Sequence, residues 1–289
     1  YGERIVLRIL DKQAAQINID DLGLPPKILA NYKSSLKNPE GIILFTGPTG
    51  SGKTTTLYAG LRYLSDSSQN ILTVEDPIEY TLNGIGQTQV NNKTGYSFAK
   101  GLRAILRQDP DIVMVGEMRD IETAQIGIQS SLTGHLVLST VHTNSAVAAI
   151  TRLRDMGIES FLLASSLRTI ISQRLVRRLC PHCKTKDKPS IKSADIFRLD
   201  KNKSVYSAKG CDECNHTGYQ GRIAIAECIQ IDKTLKDFIH NNASENEISE
   251  YVFKDNQSID QASVDLITSG VTSCEEIIRI NNIQEDASI

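Results

Sequence analysis

The chain contains no tryptophan, and aromatic residues make up only 5% of its 289 residues. Little material is therefore available for platforms on which the bases of a single strand would stack. There is no surplus of positive charge either: 32 Lys and Arg stand against 34 Asp and Glu, a formal net charge of −2. A global field that would attract nucleic acid is missing, although a local basic patch is still allowed. No uninterrupted apolar stretch approaches the ~20 residues needed to span a bilayer. No secretory signal heads the chain, since "YGERIVLRIL" is charged from its third residue. The first residue is Tyr rather than Met, which reads as a piece of something longer, with residues 1–10 as the last strand of a preceding domain. Cysteines number six, and four of them form two Cys-x-x-Cys pairs, a pattern suited to metal ligation in a reducing compartment rather than to a disulfide scaffold.

What is present is an alternation. Short apolar runs at 41–46 ("GIILFT"), 71–75 ("ILTVE"), 111–115 ("DIVMV") and 136–140 ("LVLST") read as strands. Segments of helical period separate them, at 54–64, 97–107, 118–131 and 145–155. Strand and helix in turn predict an α/β fold with a mostly parallel sheet covered on both faces, and ligands at the carboxyl ends of its strands. The expected domains are the end of a truncated N-terminal domain and linker over 1–30, an α/β core over 31–178, a cysteine module over 179–222 and a C-terminal helical region over 223–289. In the last region Ser258-x-x-Gln261 and Thr272-x-x-Glu275 read as capping boxes.

"GPTGSGKT", Gly47 to Thr54, matches G-x-x-x-x-G-K-[ST] and lies between a strand and a helix. Such glycines let successive backbone N–H groups face phosphate oxygens, and the following helix adds its positive end. Gly47, Pro48, Thr49, Gly50, Ser51, Gly52, Lys53, Thr54 and Thr55 are the candidate ATP-binding residues. Lys53 would reach the β- and γ-phosphates and the Thr54 hydroxyl would take a magnesium position.

Hydrolysis also needs a group that orients or deprotonates water and something to complete the magnesium shell. Glu117 follows the strand 111–115 where it could do the first, with Gly116 letting backbone and water come close. Asp111 stands at the opposite end of that strand and is a poor magnesium ligand. The acidic run Glu75-Asp76-Pro77-Ile78-Glu79 could share the remaining duties.

Four segments, "GPTGSGKTT", "ILTVEDPIEY", "LRQDPDIVMVGEMRD" and "TGHLVLSTVHTN", resemble in order the Walker A, Asp-box, Walker B and His-box of secretion superfamily ATPases. "NGIGQTQVN", "FAKGLRAILRQDPD", "LRDMG" and "QRLVRRLCPHC" are similar to the type II secretion ATPase, protein E, in particular. The resemblance implies a RecA-like P-loop fold, Glu117 as the catalytic glutamate, and Glu75 among assisting acids. It also implies that Arg103, Arg107 and Arg119 act at subunit interfaces or on the γ-phosphate, and that Arg8 reaches the nucleotide from the preceding domain. His142, just past the strand 136–140, would report the γ-phosphate, whereas His135 at the other end reads as structural.

Cys180, Cys183, Cys211 and Cys214 supply four thiolates, enough to fill a tetrahedral zinc shell and leave no open position for water, so the site reads as structural. Cys228 and Cys274 read as small apolar packing residues. With these residues, the resemblance implies an ATP-, Mg2+- and Zn2+-dependent hexameric motor at the cytoplasmic face of the bacterial inner membrane. It would engage an inner-membrane platform protein and a membrane-anchored docking protein and drive pseudopilus assembly, with no nucleic-acid partner. A pilus-assembly ATPase is the near alternative; a nucleic-acid translocase, a small-molecule kinase and a non-hydrolysing nucleotide-binding regulator are the distant ones. The tail "SIDQASVDLITSG" departs from the family pattern at Gln261-Ala262-Ser263 and carries no functional expectation.

Overall fold

A computed structural model of the chain describes residue 5, residues 17–65 and residues 68–281. In chain order its first half holds α1 (Pro26–Ser35), β1 (Gly41–Thr46), α2 (Lys53–Leu64), β2 (Ile71–Glu75), β3 (Gly86–Gln89), α3 (Phe98–Ile105), β4 (Ile112–Val115), α4 (Ile121–Leu132) and β5 (Leu136–Val141). There follow α5 (Ala146–Asp155), α6 (Ser160–Ser166), β6 (Leu167–Leu179), β7 (Thr185–Asp187), α7 (Ile191–Phe197), β8 (Val205–Ser207) and β9 (Tyr219–Gln230). Four helices close the described chain: α8 (Lys233–His240), α9 (Glu245–Val252), α10 (Ile259–Thr268) and α11 (Cys274–Ile280).

Seven strands form one sheet in the order β3-β2-β4-β5-β1-β6-β9, parallel except for β9, which runs antiparallel to β6. The central strand β1 shows why its sequence is apolar without interruption. Ile42 and Leu44 enter the core beneath α4, α5 and α6, while Ile43 and Phe45 enter the core beneath α1 and α2. A strand covered on both faces has no solvent side to mark with polar residues. The α/β fold with a mostly parallel sheet is thus as expected, and C-terminal helices are present.

Several elements differ from the sequence reading. Two long strands, β6 and β9, were not anticipated. The region from 223 onward therefore opens with the body of β9, an edge strand of the main sheet, before its helices begin. β-branched residues at Thr169, Ile170, Ile171 and Val176 favour the extended form over 167–179, and pairing with β9 supplies its hydrogen bonds. Helix α3 stops at Ile105, so Arg107 lies past its end and does not share a helical face with Arg103; Asp109 adopts φ 51 before Pro110, where a helix cannot continue. The cap of α11 is Ser273, whose hydroxyl accepts the Glu276 N–H (3.3 Å), not Thr272, whose hydroxyl donates to the Arg177 carbonyl (2.8 Å). Ser258 does cap α10, accepting from the Gln261 N–H at 3.3 Å. Residues 1–10 as a strand, and Arg8 with them, lie outside the described residues apart from Ile5.

Candidate nucleotide site and cysteine centre

The carboxyl ends of β1, β2, β4 and β5 lie side by side, and the loops leaving them carry the candidate residues. After β1, the turn 47–52 has Gly47, Gly50 and Gly52 at φ 141, 79 and 88, backbone shapes that side chains rarely tolerate. At Gly47 the need is also steric, because a Cβ there would stand 2.2 Å from the Gln173 carbonyl oxygen. Lys53, at the first position of α2, folds back so that its ammonium donates to the carbonyls of Gly47 (2.7 Å) and Pro48 (3.1 Å). Burial pulls its pKa down, and the negative charge of Glu117 works in the opposite direction. Thr54 is exposed at the same helix start. The Ser51 hydroxyl is buried and has no partner. A strand-turn-helix with glycines at positive φ, a lysine lying across loop carbonyls and an orphaned hydroxyl fits a phosphate group.

Gln173, on β6, was missed from the sequence. Its side-chain amide donates to the Ser51 carbonyl (2.9 Å) and accepts from the Thr56 hydroxyl (2.9 Å), clamping the turn to the first coil of α2. Only a strand neighbouring β1 can do this, and β6 follows β1 by more than 100 residues, so no local signal marks it.

Glu117 lies just past β4, with its side chain 14% exposed. Arg119 Nε donates to one carboxylate oxygen (2.6 Å) and His142 Nε2 lies 2.9 Å from the other. The turn that holds Glu117 is fixed by main-chain bonds from Gly116 to Val74 (2.8 Å) and from Met118 to Thr140 (2.9 Å), and by the Thr140 hydroxyl on the Gly116 carbonyl (2.8 Å). Gly116 is not at a left-handed φ, and a Cβ on it would meet the Val74 carbonyl oxygen at 3.4 Å and the Glu75 Cα at 3.5 Å. His142 reaches Glu117 because the next residue is tied to β1: the Thr143 N–H and hydroxyl meet the Thr46 hydroxyl at 2.9 and 2.7 Å.

Glu75 does not match its expected part. It is 3% exposed, and its two oxygens accept from the Tyr58 hydroxyl, the Thr73 hydroxyl (2.6 Å) and the Gln87 amide (2.9 Å). Those donors leave it little capacity to take up water or metal and make it an anchor for the acidic turn. Arg103 pairs with Glu122 (2.7 Å) on an exposed surface, joining α3 to α4, while the Arg107 side chain is exposed. Within this chain neither reaches the cluster formed by Lys53, Glu117, Arg119 and His142. Asp111 accepts the Asn70 N–H (2.7 Å) at the sheet's amino end, and His135 Nδ1 bonds the Ser130 carbonyl (2.9 Å), both remote from the turn.

The four paired cysteines stand at the adjoining ends of β6 and β9, where Leu179 faces Tyr219. That antiparallel pairing closes the loop 184–210, which carries β7, α7 and β8. Their sulfur ligand atoms all lie within 4.8 Å of one another, with Sγ–Sγ separations of 3.9 Å (Cys180–Cys211), 3.8 Å (Cys183–Cys214) and 3.8 Å (Cys211–Cys214). A tetrahedral shell with metal–sulfur bonds of about 2.3 Å has edges of about 3.8 Å, so the donors fit zinc and are too far apart for disulfides. Although burial pushes the Cys214 thiol up, the backbone N–H groups of Cys211 and Gly218, each 3.2 Å from its sulfur, bring it down to about 6. Burial and the neighbouring thiols push Cys211 up to about 12.

The family described as "Type II/IV secretion system protein" matches residues 1–279. The chain belongs to this family. It is 52% identical over 282 residues to "Type II secretion system ATPase E" of Vibrio cholerae serotype O1, covering 97% of this chain and 56% of that protein. It is 53% identical over 281 residues to "Type II secretion system protein E" of Pseudomonas aeruginosa, covering 96% and 56%. The chain thus spans about half the length of these secretion proteins. Among solved structures, the pilus retraction motor PilT with bound ADP superposes with a TM-score of 0.72 at 29% identity, covering 97% of this chain and 70% of that one. The Legionella pneumophila ATPase DotB gives 0.67 at 25% identity, covering 93% and 66%. No helix among the described residues is long and apolar enough to cross a membrane.

Proposed function

We propose that this secretion-family chain binds ATP at 47–55 and hydrolyses it as a motor of a type II secretion apparatus. The observation that carries the reading is that Glu117 sits at the sheet's carboxyl edge close enough for its charge to act on Lys53, while Arg119 and His142 hold its two oxygens. Backbone N–H groups of the turn and Lys53 hold the phosphates. Magnesium, on the Thr54 hydroxyl, would neutralise charge on the β- and γ-oxygens. Glu117 aligns the attacking water once Arg119 or His142 turns toward the γ-phosphate. Arg103 and Arg107, remote from the turn within one chain, serve at interfaces of a homo-hexamer, where an arginine from one subunit can steady the transition state in the next. Arg8 is a further nucleotide contact in this reading. Zinc on Cys180, Cys183, Cys211 and Cys214 has a structural part.

The relatives' names support a place in protein secretion. The full proposal is a motor held at the cytoplasmic face of the inner membrane by a platform protein and a docking protein, driving pseudopilus assembly without nucleic acid. ATP turnover against protein concentration, on the native chain and on Glu117→Gln, tests the core of it. The variant is expected to lose about 10²–10⁴-fold in kcat with KM for ATP little changed, the range for removal of a general base. Native turnover per chain is expected to rise with concentration. A Glu117→Gln chain that turned over ATP normally would refute the assignment.

A further inference from the structure

One buried carboxylate is not used by the mechanism above. Glu227, on β9, is 2% exposed, and its pKa is raised by burial. Its two oxygens accept from two separate helix starts: the Ala146 N–H of α5 at 2.7 Å and the Ile259 N–H of α10 at 2.8 Å. Each helix already has its own serine cap, Ser145 accepting from Ala148 (3.1 Å) and Ser258 from Gln261 (3.3 Å). Glu227 therefore serves a further free N–H at each end and places one negative charge between two positive helix termini.

The first of those helices begins four residues after His142. The loop between is gripped from three neighbouring strands: Thr143 by Thr46 of β1, the Asn144 carbonyl by Arg174 Nη2 of β6 (3.0 Å), and Ala146 by Glu227 of β9. The register confirms that these grips adjoin, since Ser172 stands opposite both Thr46 and Glu227. Two of the three also hold the C-terminal helices. Glu227 holds the start of α10, and Arg174 Nη1 bonds the Asn281 side chain at the end of α11. The His142 loop and the C-terminal helices are thus fastened to the same two side chains.

We propose that Glu227 and Arg174 are positioning residues that set His142 beside Glu117 and couple the nucleotide's state to α10 and α11. The proposal rests on the ATP reading above. A shift of His142 on contact with a γ-phosphate moves the start of α5, and the shared carboxylate passes that displacement to the start of α10. The same linkage runs backward, so a partner that displaces α10 alters turnover.

The test uses the intact chain with Mg2+ and either ATP or its non-hydrolysable imido analogue. Glu227→Gln keeps the shape but offers one acceptor to two N–H donors, while Asn281→Ala removes only the C-terminal partner of Arg174. Glu227→Gln is expected to lower kcat about tenfold with KM for ATP within about twofold, because the 47–52 turn is untouched. Hydrogen exchange in the native chain should show analogue-dependent protection of 259–268 and 274–280. Protection of 259–268 should vanish in Glu227→Gln and that of 274–280 in Asn281→Ala, while protection of 47–56 persists in both. Unchanged protection of the C-terminal helices would overturn the coupling. So would a Glu227→Gln chain that loses nucleotide affinity and thermal stability together, since that marks a purely structural group; Asn281→Ala then decides the Arg174 arm by itself. A native chain that binds no ATP sinks the nucleotide reading and the coupling with it, whereas one that binds and hydrolyses ATP without protecting these helices sinks the coupling alone.

Discussion

Gly47 and Gln173 illustrate how residue identity works at this site. The glycine is required twice, by its φ of 141 and by the Gln173 backbone 2.2 Å from where a Cβ would stand. The glutamine then stitches Ser51 to Thr56 across the turn. Replacing it by leucine of similar volume leaves the buried Ser51 carbonyl without its donor and the Thr56 hydroxyl with only the Gly52 carbonyl, at 3.2 Å. Gln173→Leu is expected to weaken ATP binding about tenfold, equivalent to about 1.4 kcal/mol, as read by titration with a fluorescent ATP analogue. The phosphate turn itself was legible as a motif, because its chemistry needs these residue types consecutively. Gln173 was not, because its role exists only through the neighbouring of β1 and β6. Glu75 shows the converse: its place in an acidic run after a strand suggested chemistry, but Tyr58, Thr73 and Gln87 surround it with donors.

Among elements, a charge cluster helps to fasten α11 to β6. Glu276 is fully buried on its side chain, and Arg177 meets it through the backbone N–H (2.9 Å) and the guanidinium (2.6 Å). Arg279 adds a bond at 2.8 Å, and Arg177 also stacks 4.1 Å over the Tyr219 ring. Burial alone would raise the Glu276 pKa; the Arg279 and Arg177 guanidiniums outweigh it and hold the group at about 2, against an ordinary 4.5. A depressed carboxylate contributes stability that is complete above its unfolded pKa and disappears as pH falls through the folded one. The cluster should therefore weaken between about pH 4.5 and about pH 2, seen as acid-induced loss of exchange protection in 274–280. Glu276→Gln is expected to cost about 2 kcal/mol at neutral pH, measured by denaturant unfolding. That is less than the about 3–5 kcal/mol of a wholly buried pair, since both guanidiniums reach solvent.

For the molecule as a whole, the cysteine centre closes the far end of the β6–β9 pair, while the nucleotide turn sits against the middle of β6 through Gln173. The module over 184–210 has only short elements of its own, and beside the packing of Leu199 and Val205 against α10 and α11 a metal on the four sulfurs is expected to add to its order. One zinc per chain is expected by elemental analysis. Stripping it with a strong chelator at elevated temperature should release exchange protection over 180–218 while ATP binding at 47–55 persists. Loss of nucleotide binding in parallel with zinc would show the two sites to be one cooperative unit instead.

From residue order alone came the α/β alternation, the parallel sheet, the phosphate turn, the placement of Glu117 and His142 at strand ends, and the two Cys-x-x-Cys pairs. Each depends on neighbours within a few residues or on a periodicity, which the chain carries locally. The tertiary structure decided that β9 completes the main sheet, that α3 ends before Arg107, that Gln173 braces the turn, and that Glu227 joins two helix starts from opposite parts of the chain. Those depend on which strands lie side by side, and such contacts between distant segments form only when the apolar faces of β1, β5 and β6 are buried together.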